Sequence, residues 1–286
     1  MPLPSPSFVL TLSCADRPGI VAAIASLLAG NGCNITGSAQ FGDVKSGRFF
    51  MRVSFSAPEN TGREAAWKML LPAIEQFGMT ADLHPHAEKM RVLILVSKFG
   101  HCLNDLLYRH AIGALPIEVP AIVSNHRNFY QLAASHDIPF HHLPVAPGSK
   151  EKQERRLLEI VEEEKIELVV LARYMQVLSG ALCEKLAGRA INIHHSFLPS
   201  FKGAMPYHQA HERGVKLIGA TAHYVTRDLD EGPIIEQDVA RVDHSMPPQE
   251  LITIGRDVEC AVLARAVKWH AEHRVLLNGS RTVVFR

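Results

Sequence analysis

The sequence predicts an α/β protein of two successive units: a small βαββαβ unit over residues 1–86, then a doubly wound, mostly parallel sheet over residues 87–286. Three observations carry that expectation. Strand-type alternation and helical periodicity follow one another in the order β-α-β-β-α-β within about the first 80 residues. A continuous apolar run, Arg91-Val-Leu-Ile-Leu-Val-Ser97, then marks a change of character, because a strand buried on both faces reads that way. Beyond it, short apolar runs alternate with helical stripes, which is the pattern of a sheet covered by helices on both sides.

The first unit is legible element by element. Residues 8–14 alternate and are rich in strand formers. Asp16-Arg17-Pro18-Gly19-Ile20 makes a turn that opens a helix, with Asp16 as its expected N-cap and Pro18 in its first turn. Ile20, Ile24, Leu27 and Leu28 recur at helical spacing until Gly30-Asn31-Gly32 stops the element. Asn34-Ile35 begins an extended stretch. After a turn at Lys45-Ser46-Gly47, Phe49, Met51, Val53 and Phe55 alternate with Phe50, Arg52 and Ser54. Trp67, Leu70, Leu71 and Ile74 define a helix over 63–77, and 79–83 reads as a short closing strand.

A polar connector from His84 to Met90 leads into the second unit. Its buried first strand is followed by a helix over 103–110, a strand over 117–124 and a charged helix over 151–165. Leu157, Leu158 and Val161 form the apolar stripe of that helix. Short buried strands are expected at 168–172 and 190–193, and extended segments at 217–226 and 233–242. A long helix over 248–273 precedes a hairpin turn at Asn278-Gly279.

Composition removes several function classes. Lys+Arg 30 against Asp+Glu 29 leaves no cationic surplus for gripping a nucleic-acid backbone, so no nucleic acid is expected as a partner. No apolar run approaches the roughly 20 residues that span a bilayer. The first residues lack the basic and apolar segments of a secretory leader. Cys14, Cys33, Cys102, Cys183 and Cys260 are odd in number and never form a C-x-x-C pair. A cytoplasmic enzyme with neither disulfide framework nor zinc knuckle is expected, with no membrane partner.

Chemistry concentrates in two places. Ile191-Asn192-Ile193-His194-His195-Ser196 sets polar side chains where a buried strand runs out, and alternation puts Asn192 and His194 on one face. Asp228-Leu229-Asp230-Glu231-Gly232-Pro233 holds a carboxylate just before a sharp turn. An Asn, a His and an Asp together support acyl transfer without a covalent nucleophile. The amide and imidazole stabilise a developing oxyanion, and the carboxylate, whose pKa an apolar setting would raise, positions water. On residue types alone Asp228 competes with Asp230, and Asn192 and His194 could be a core hydrogen-bonding pair. His194, His195, His208, His211 and His223 could also bind metal, but no H-E-x-x-H or H-x-E spacing accompanies them.

Two resemblances sharpen this. Asp16-Arg17-Pro18-Gly19-Ile20 with Asn34-Ile35 resembles an ACT domain, a ferredoxin-like unit. The resemblance implies an oligomerisation surface alone, or with it an amino-acid site near Asp16, Gly19, Asn34 and Ile35 between one copy and its neighbour, for which glycine or methionine is the effector expected. From about residue 90 to 275, the pattern resembles the formyltransferase fold of enzymes that use 10-formyltetrahydrofolate. It comprises Asn192-Ile-His194-His-Ser-Phe-Leu-Pro199, Gly203, His208, Gly219-Ala-Thr221 and Leu229-Asp230-Glu-Gly232-Pro233. That resemblance implies Asn192, His194 and Asp230 as catalytic residues, the last chosen over Asp228 by the L-D-x-G-P pattern. It implies a folate pocket lined by Met175, Gln176, Leu178, Val225 and Leu229, a folate substrate, and no metal or separate cofactor.

One departure bears on the acceptor. Formyltransferases acting on glycinamide ribonucleotide carry a Gly-x-Gly-Ser-Asn loop for the phosphate, whereas Ser97-Lys98-Phe99-Gly100-His101-Cys102-Leu103-Asn104 keeps only Gly100 of its small residues. Together with the ACT-like unit, this points to water as the formyl acceptor, although Lys98 and His101 could still hold a phosphate. Transfer to glycinamide ribonucleotide is the alternative activity, and a folate-binding amino-acid sensor the alternative of another class. Transfer to methionyl-tRNA is weaker, since no C-terminal RNA-binding domain is visible.

Overall fold

The computed structural model describes residues 5–146, 148–198 and 206–286; Pro199 and Gly203 of the quoted pattern lie outside the described residues. The chain divides into two compact units. The first comprises Met1–Lys89 with His273–Leu276 and Val283–Arg286, so the C-terminal segment contributes to the unit formed by the N-terminal sequence. The second comprises Met90–Glu272 and Leu277–Thr282.

The first unit contains β1 (Ser7–Ala15), α1 (Ile20–Gly30), β2 (Asn34–Asp43), β3 (Arg48–Ser56), α2 (Arg63–Phe77) and β4 (Thr80–Pro85). Its antiparallel sheet has the order β2-β3-β1-β4, the split βαββαβ arrangement. Leu10 and Leu12 of β1 and Val53 and Phe55 of β3 pack with Ile24 and Leu28 of α1 and with Leu70 of α2. Each such side chain removed from water stabilises the fold by ~1.5–3 kcal/mol.

The start of α1 departs from expectation. Its N-cap is Gly19, in the left-handed region at φ 97°, with no side-chain cap. Asp16 and Pro18 both precede the helix. The Asp16 N–H donates to the Gly47 carbonyl at 2.9 Å, and Arg17 donates to the Gln76 carbonyl at the end of α2. The chain leaving β1 is therefore anchored to its neighbours before the helix begins, which keeps Asp16 from capping it.

The second unit runs β5 (Met90–Val96), α3 (His101–Ala111), β6 (Ile117–Ser124), α4 (Tyr130–Ser135), β7 (Phe140–His142), α5 (Lys150–Glu163) and β8 (Leu168–Leu171). It continues with α6 (Gly180–Lys185), β9 (Ala190–His194), α7 (Pro206–Glu212), β10 (Leu217–Tyr224), β11 (Ile234–Arg241) and α8 (Pro248–Ala271). A terminal hairpin, β12 (Val275–Asn278) and β13 (Arg281–Val284), turns at Gly279 with φ 61°. Four short elements, α4, β7, α6 and α7, were not legible as separate periods.

The seven-stranded sheet has the order β11-β10-β9-β8-β5-β6-β7. Strands β7, β6, β5, β8 and β9 are parallel, while β10 and β11 join antiparallel. Residues 92–96 of β5 are wholly buried, which explains the uninterrupted apolar run. From β5 the chain winds outward to β6 and β7, then crosses back to β8 on the other side. This reversal is the topological switch point, where ligands bind at the carboxyl ends of the strands.

Candidate active site

The carboxyl ends of β5, β8 and β9 open on a cavity of about 630 Å³. Adjacent strands assemble the polar cluster within it. Asn192 and His194 alternate along β9, and β10 pairs antiparallel so that His223 faces Asn192 and Thr221 faces His194. Asn192 Nδ2 lies 3.2 Å from His223 Nε2. His223 Nδ1 is 2.9 Å from the Tyr224 carbonyl, which only accepts, so that nitrogen carries a proton.

Asp230 enters from the loop between β10 and β11. The loop doubles back so tightly that a Cβ at Gly232 would stand 1.7 Å from the Tyr224 carbonyl oxygen. The Tyr224 N–H donates to the Pro233 carbonyl at 2.9 Å across the same turn. Asp230 itself is left-handed at φ 57°, a conformation costly for a non-glycine residue and concentrated at functional sites. Its Oδ2 lies 3.3 Å from His194 Nδ1 and its Oδ1 3.6 Å from His223 Nε2. Asp228 is exposed on the cavity rim. The structure thus brings Asn192, His194 and Asp230 together and adds His223, which residue spacing had not distinguished from its histidine neighbours.

The electrostatics of Asp230 differ from expectation. Burial pushes its pKa up, but contacts with the His194 and His223 imidazoles outweigh burial and hold the carboxyl well below the usual carboxylate range. The raised value expected from the apolar neighbourhood overlooked these imidazoles. On the other side of His194, Nε2 is buried and has no hydrogen-bond partner.

The alternation that sets Asn192 and His194 on one face does not carry His195 to the other. Strand β9 ends at His194, so alternation no longer governs the next residue, and both rings line the cavity with centroids 5.1 Å apart. Burial, with the nearby Arg173 and His194 charges, lowers the His195 pKa from 6.5 to about 4. The unfolded chain therefore takes up a proton at His195 before the folded one does. This contribution to stability is full above pH 6.5 and is lost as pH falls toward 4. Between those limits the loss is expected to be on the order of 2–3 kcal/mol. Urea titrations of the parent and His195→Gln check it; an equally steep decline in the variant would refute the assignment.

The five expected folate-pocket residues, Met175, Gln176, Leu178, Val225 and Leu229, all line the same cavity. The loop after β8 that carries Met175, Gln176 and Leu178 is held from several sides. Ser97 Oγ accepts the Met175 N–H at 3.0 Å and donates to Asn125 Oδ1 at 2.7 Å. Gln153 donates to the Tyr174 hydroxyl at 2.7 Å, while Glu154 accepts the Ser179 N–H at 2.8 Å. Met175 and Leu229 are more than half exposed, offering apolar surface at the mouth.

The loop after β5 does not hold Lys98 and His101 in one place. Lys98 is exposed and outside the lining, whereas His101 Nε2 lies 2.8 Å from Glu259 Oε2. Glu259 also accepts from the Tyr207 hydroxyl at 2.7 Å and has Arg173 Nε at 3.4 Å. Sequence reading missed this group. Its signal lay in α8, where Leu251, Gly255, Glu259 and Val262 follow helical spacing and place a carboxylate on the buried stripe. Among the described residues, the donor atoms of His101, Cys102 and Glu259 come within 4.8 Å of one another, but Arg173 beside the carboxylate opposes a cation there.

The effector residues are separated. Asp16 follows β1, whose last residue Ala15 pairs with Arg48 at the start of β3. Asn34 pairs with Ser56 at the other end of β3. At strand rise that places the two motifs roughly 27 Å apart within one copy. All four residues, Asp16, Gly19, Asn34 and Ile35, are exposed.

A two-fold winding about β5, with an Asn-His-Asp cluster where β9 ends, defines a formyltransferase-type α/β domain. The formyl transferase family model matches residues 90–267, and the ACT domain model matches residues 8–63. Formyltetrahydrofolate deformylase of Corynebacterium sp. (strain P-1) is 51% identical over 97% of this chain and 98% of its own length. The Bacillus subtilis (strain 168) protein of that name is 45% identical over 96% of this chain and 93% of its own length. The crystal structure of formyltetrahydrofolate deformylase from Burkholderia mallei superposes with a TM-score of 0.94 at 54% identity, covering 98% of this chain and all of that one. Glycinamide ribonucleotide transformylase 1 from Symbiobacterium toebii reaches a TM-score of 0.67 at 29% identity, covering 72% of this chain and 98% of its own. The chain belongs to the formyltetrahydrofolate deformylase family.

Proposed function

We propose that this protein hydrolyses 10-formyltetrahydrofolate to formate and tetrahydrofolate, with Asn192, His194 and Asp230 as its catalytic residues. The carrying observation is their convergence in one cavity, with Asp230 held by two imidazoles and His194 Nε2 buried without a partner. Membership among proteins of that activity, rather than the shorter transformylases, favours water as the acceptor.

In this reading each residue has a part. The Asn192 amide donates to the formyl oxygen, and His194, acting as an imidazolium, donates its Nδ1–H to Asp230 and its Nε2–H to the same oxygen. Asp230 orients the water and takes one of its protons as the water oxygen bonds to the formyl carbon. The tetrahedral intermediate collapses with cleavage of the carbon–N10 bond. N10 takes the electron pair and the proton that Asp230 accepted from water, which returns Asp230 to its ionised form, and formic acid leaves to ionise in solvent. The oxyanion donors are worth about 3–4 kcal/mol each and proton transfer ~10²–10⁴ in rate. Met175, Gln176, Leu178, Val225 and Leu229 hold the folate, and no separate cofactor enters the reaction. A volume of about 630 Å³ suits a ligand of that class.

The test is formate release from 10-formyltetrahydrofolate with and without glycinamide ribonucleotide. Formate without acceptor is expected. Formylated acceptor instead would establish a transferase, and neither product would leave a sensor.

The ACT-like unit supplies regulation in this proposal, in a cytoplasmic homo-oligomer assembled through that unit. The separation of Asp16 and Gly19 from Asn34 and Ile35 supports a site completed by a second copy. Glycine or methionine is expected to shift activity, since a coupling of 1–3 kcal/mol changes affinity roughly 5- to 150-fold. Rate measurements and calorimetry across millimolar concentrations of each provide the check. No change in rate and no heat from either amino acid would end the sensing role.

A further inference from the structure

The cavity extends beyond the Asn192 cluster toward the carboxyl end of β5, on the far side of β8. Here the chain has built an anion environment. Arg173 adopts a left-handed conformation at φ 62°, and Arg173 and Arg256 both approach the Phe99 ring, at 5.6 and 5.9 Å. His101 opens α3, whose N-terminus lacks a side-chain cap. Helix amides, guanidinium groups and an imidazole at a switch point are the groups that receive a phosphate or carboxylate.

The anion already present is Glu259. It is 1% exposed and accepts from, or is paired with, His101, Arg173 and Tyr207 at 2.8, 3.4 and 2.7 Å. An apolar side chain would satisfy the buried stripe of α8 without the several kcal/mol needed to desolvate a charge. A cation is the poorer occupant, since the Arg173 guanidinium stands against the same carboxylate and the Cys102 thiol is held protonated by its Cys260 neighbour and by burial.

We infer that Glu259 is a built-in anion that occupies the acceptor end of the cavity and excludes phosphorylated acceptors, leaving water to receive the formyl group. The inference rests on the hydrolytic activity proposed above. Glu259 is a specificity determinant here and takes no part in bond making.

Glu259→Gln keeps the shape and removes the charge. Inorganic phosphate is the probe, titrated at constant ionic strength by calorimetry and by thermal shift. The parent is expected to bind phosphate only weakly. The variant should gain affinity by about tenfold or more, the scale of one uncompensated charge at a partly buried site. Tyr207→Phe, which removes a donor but leaves the carboxylate, should still exclude phosphate. A general loosening of the site would admit phosphate in both variants and overturn the inference. So would a folded Glu259→Gln with affinity within twofold of the parent. If the Gln variant folds poorly, Glu259→Ala is read in the same way, with a phosphate-dependent rise in Tm expected and its absence counting against the inference. Formate release by the parent is measured alongside. Its absence refutes the proposed hydrolysis, whereas its presence with no phosphate gain in either Glu259 variant refutes the acceptor-exclusion role alone.

Discussion

Asp230→Asn is expected to lower kcat by at least ~10²-fold while folate affinity stays within a few-fold of the parent. The amide keeps the volume and can still accept from His194, but it cannot take a proton from water. Asp230 is held ionised by His194 and His223, so the parent carboxylate is unprotonated and can hold the water by hydrogen bonding across the physiological range. The folate is expected to rest mainly on the loop after β8 and on Val225 and Leu229, which this substitution leaves in place. Single-turnover formate release with equilibrium folate binding separates the two effects. Activity within twofold of the parent would sink the assignment of Asp230.

His194→Ala is expected to lower kcat by about 10²–10³-fold, because its hydrogen bond strengthens only as charge develops on the formyl oxygen. KM should change little, since a hydrogen bond that strengthens only with the developing charge is lost mainly from the transition state. His195→Ala provides the internal comparison. Both rings line the cavity, yet His194 has Asp230 at 3.3 Å, while burial and adjacent cations keep His195 uncharged at neutral pH. The loss at His194 should exceed that at His195 by tenfold or more, given that a positioned acid–base group is worth ~10²–10⁴. Equal losses would remove the Asp230–His194 pair from its proposed part.

The sequence by itself determined the order of the longer elements and both units' fold class, because burial imposes its period locally, whereas α4, β7, α6 and α7 are too short to show one. β5 reads as a strand buried on both faces from Val92 to Val96, and α1 from the spacing of Ile20, Ile24 and Leu28. Asn192, His194 and Asp230 were legible as candidates, two on one face of a strand and one before the Gly232 turn, but only the resemblance of the L-D-x-G-P pattern chose Asp230 over Asp228. Only tertiary structure decided how these groups act on one another. The antiparallel pairing of β10 brings His223 to Asn192, the left-handed backbone at Asp230 aims its carboxylate at two imidazoles, and their charge interactions reverse the expected pKa shift. The same holds for His101 and Glu259, which are 158 residues apart yet 2.8 Å from contact atom to contact atom. Periodicity reports which face of an element is buried. It carries no information about which distant side chain will share that burial, because strand order and helix packing set that choice.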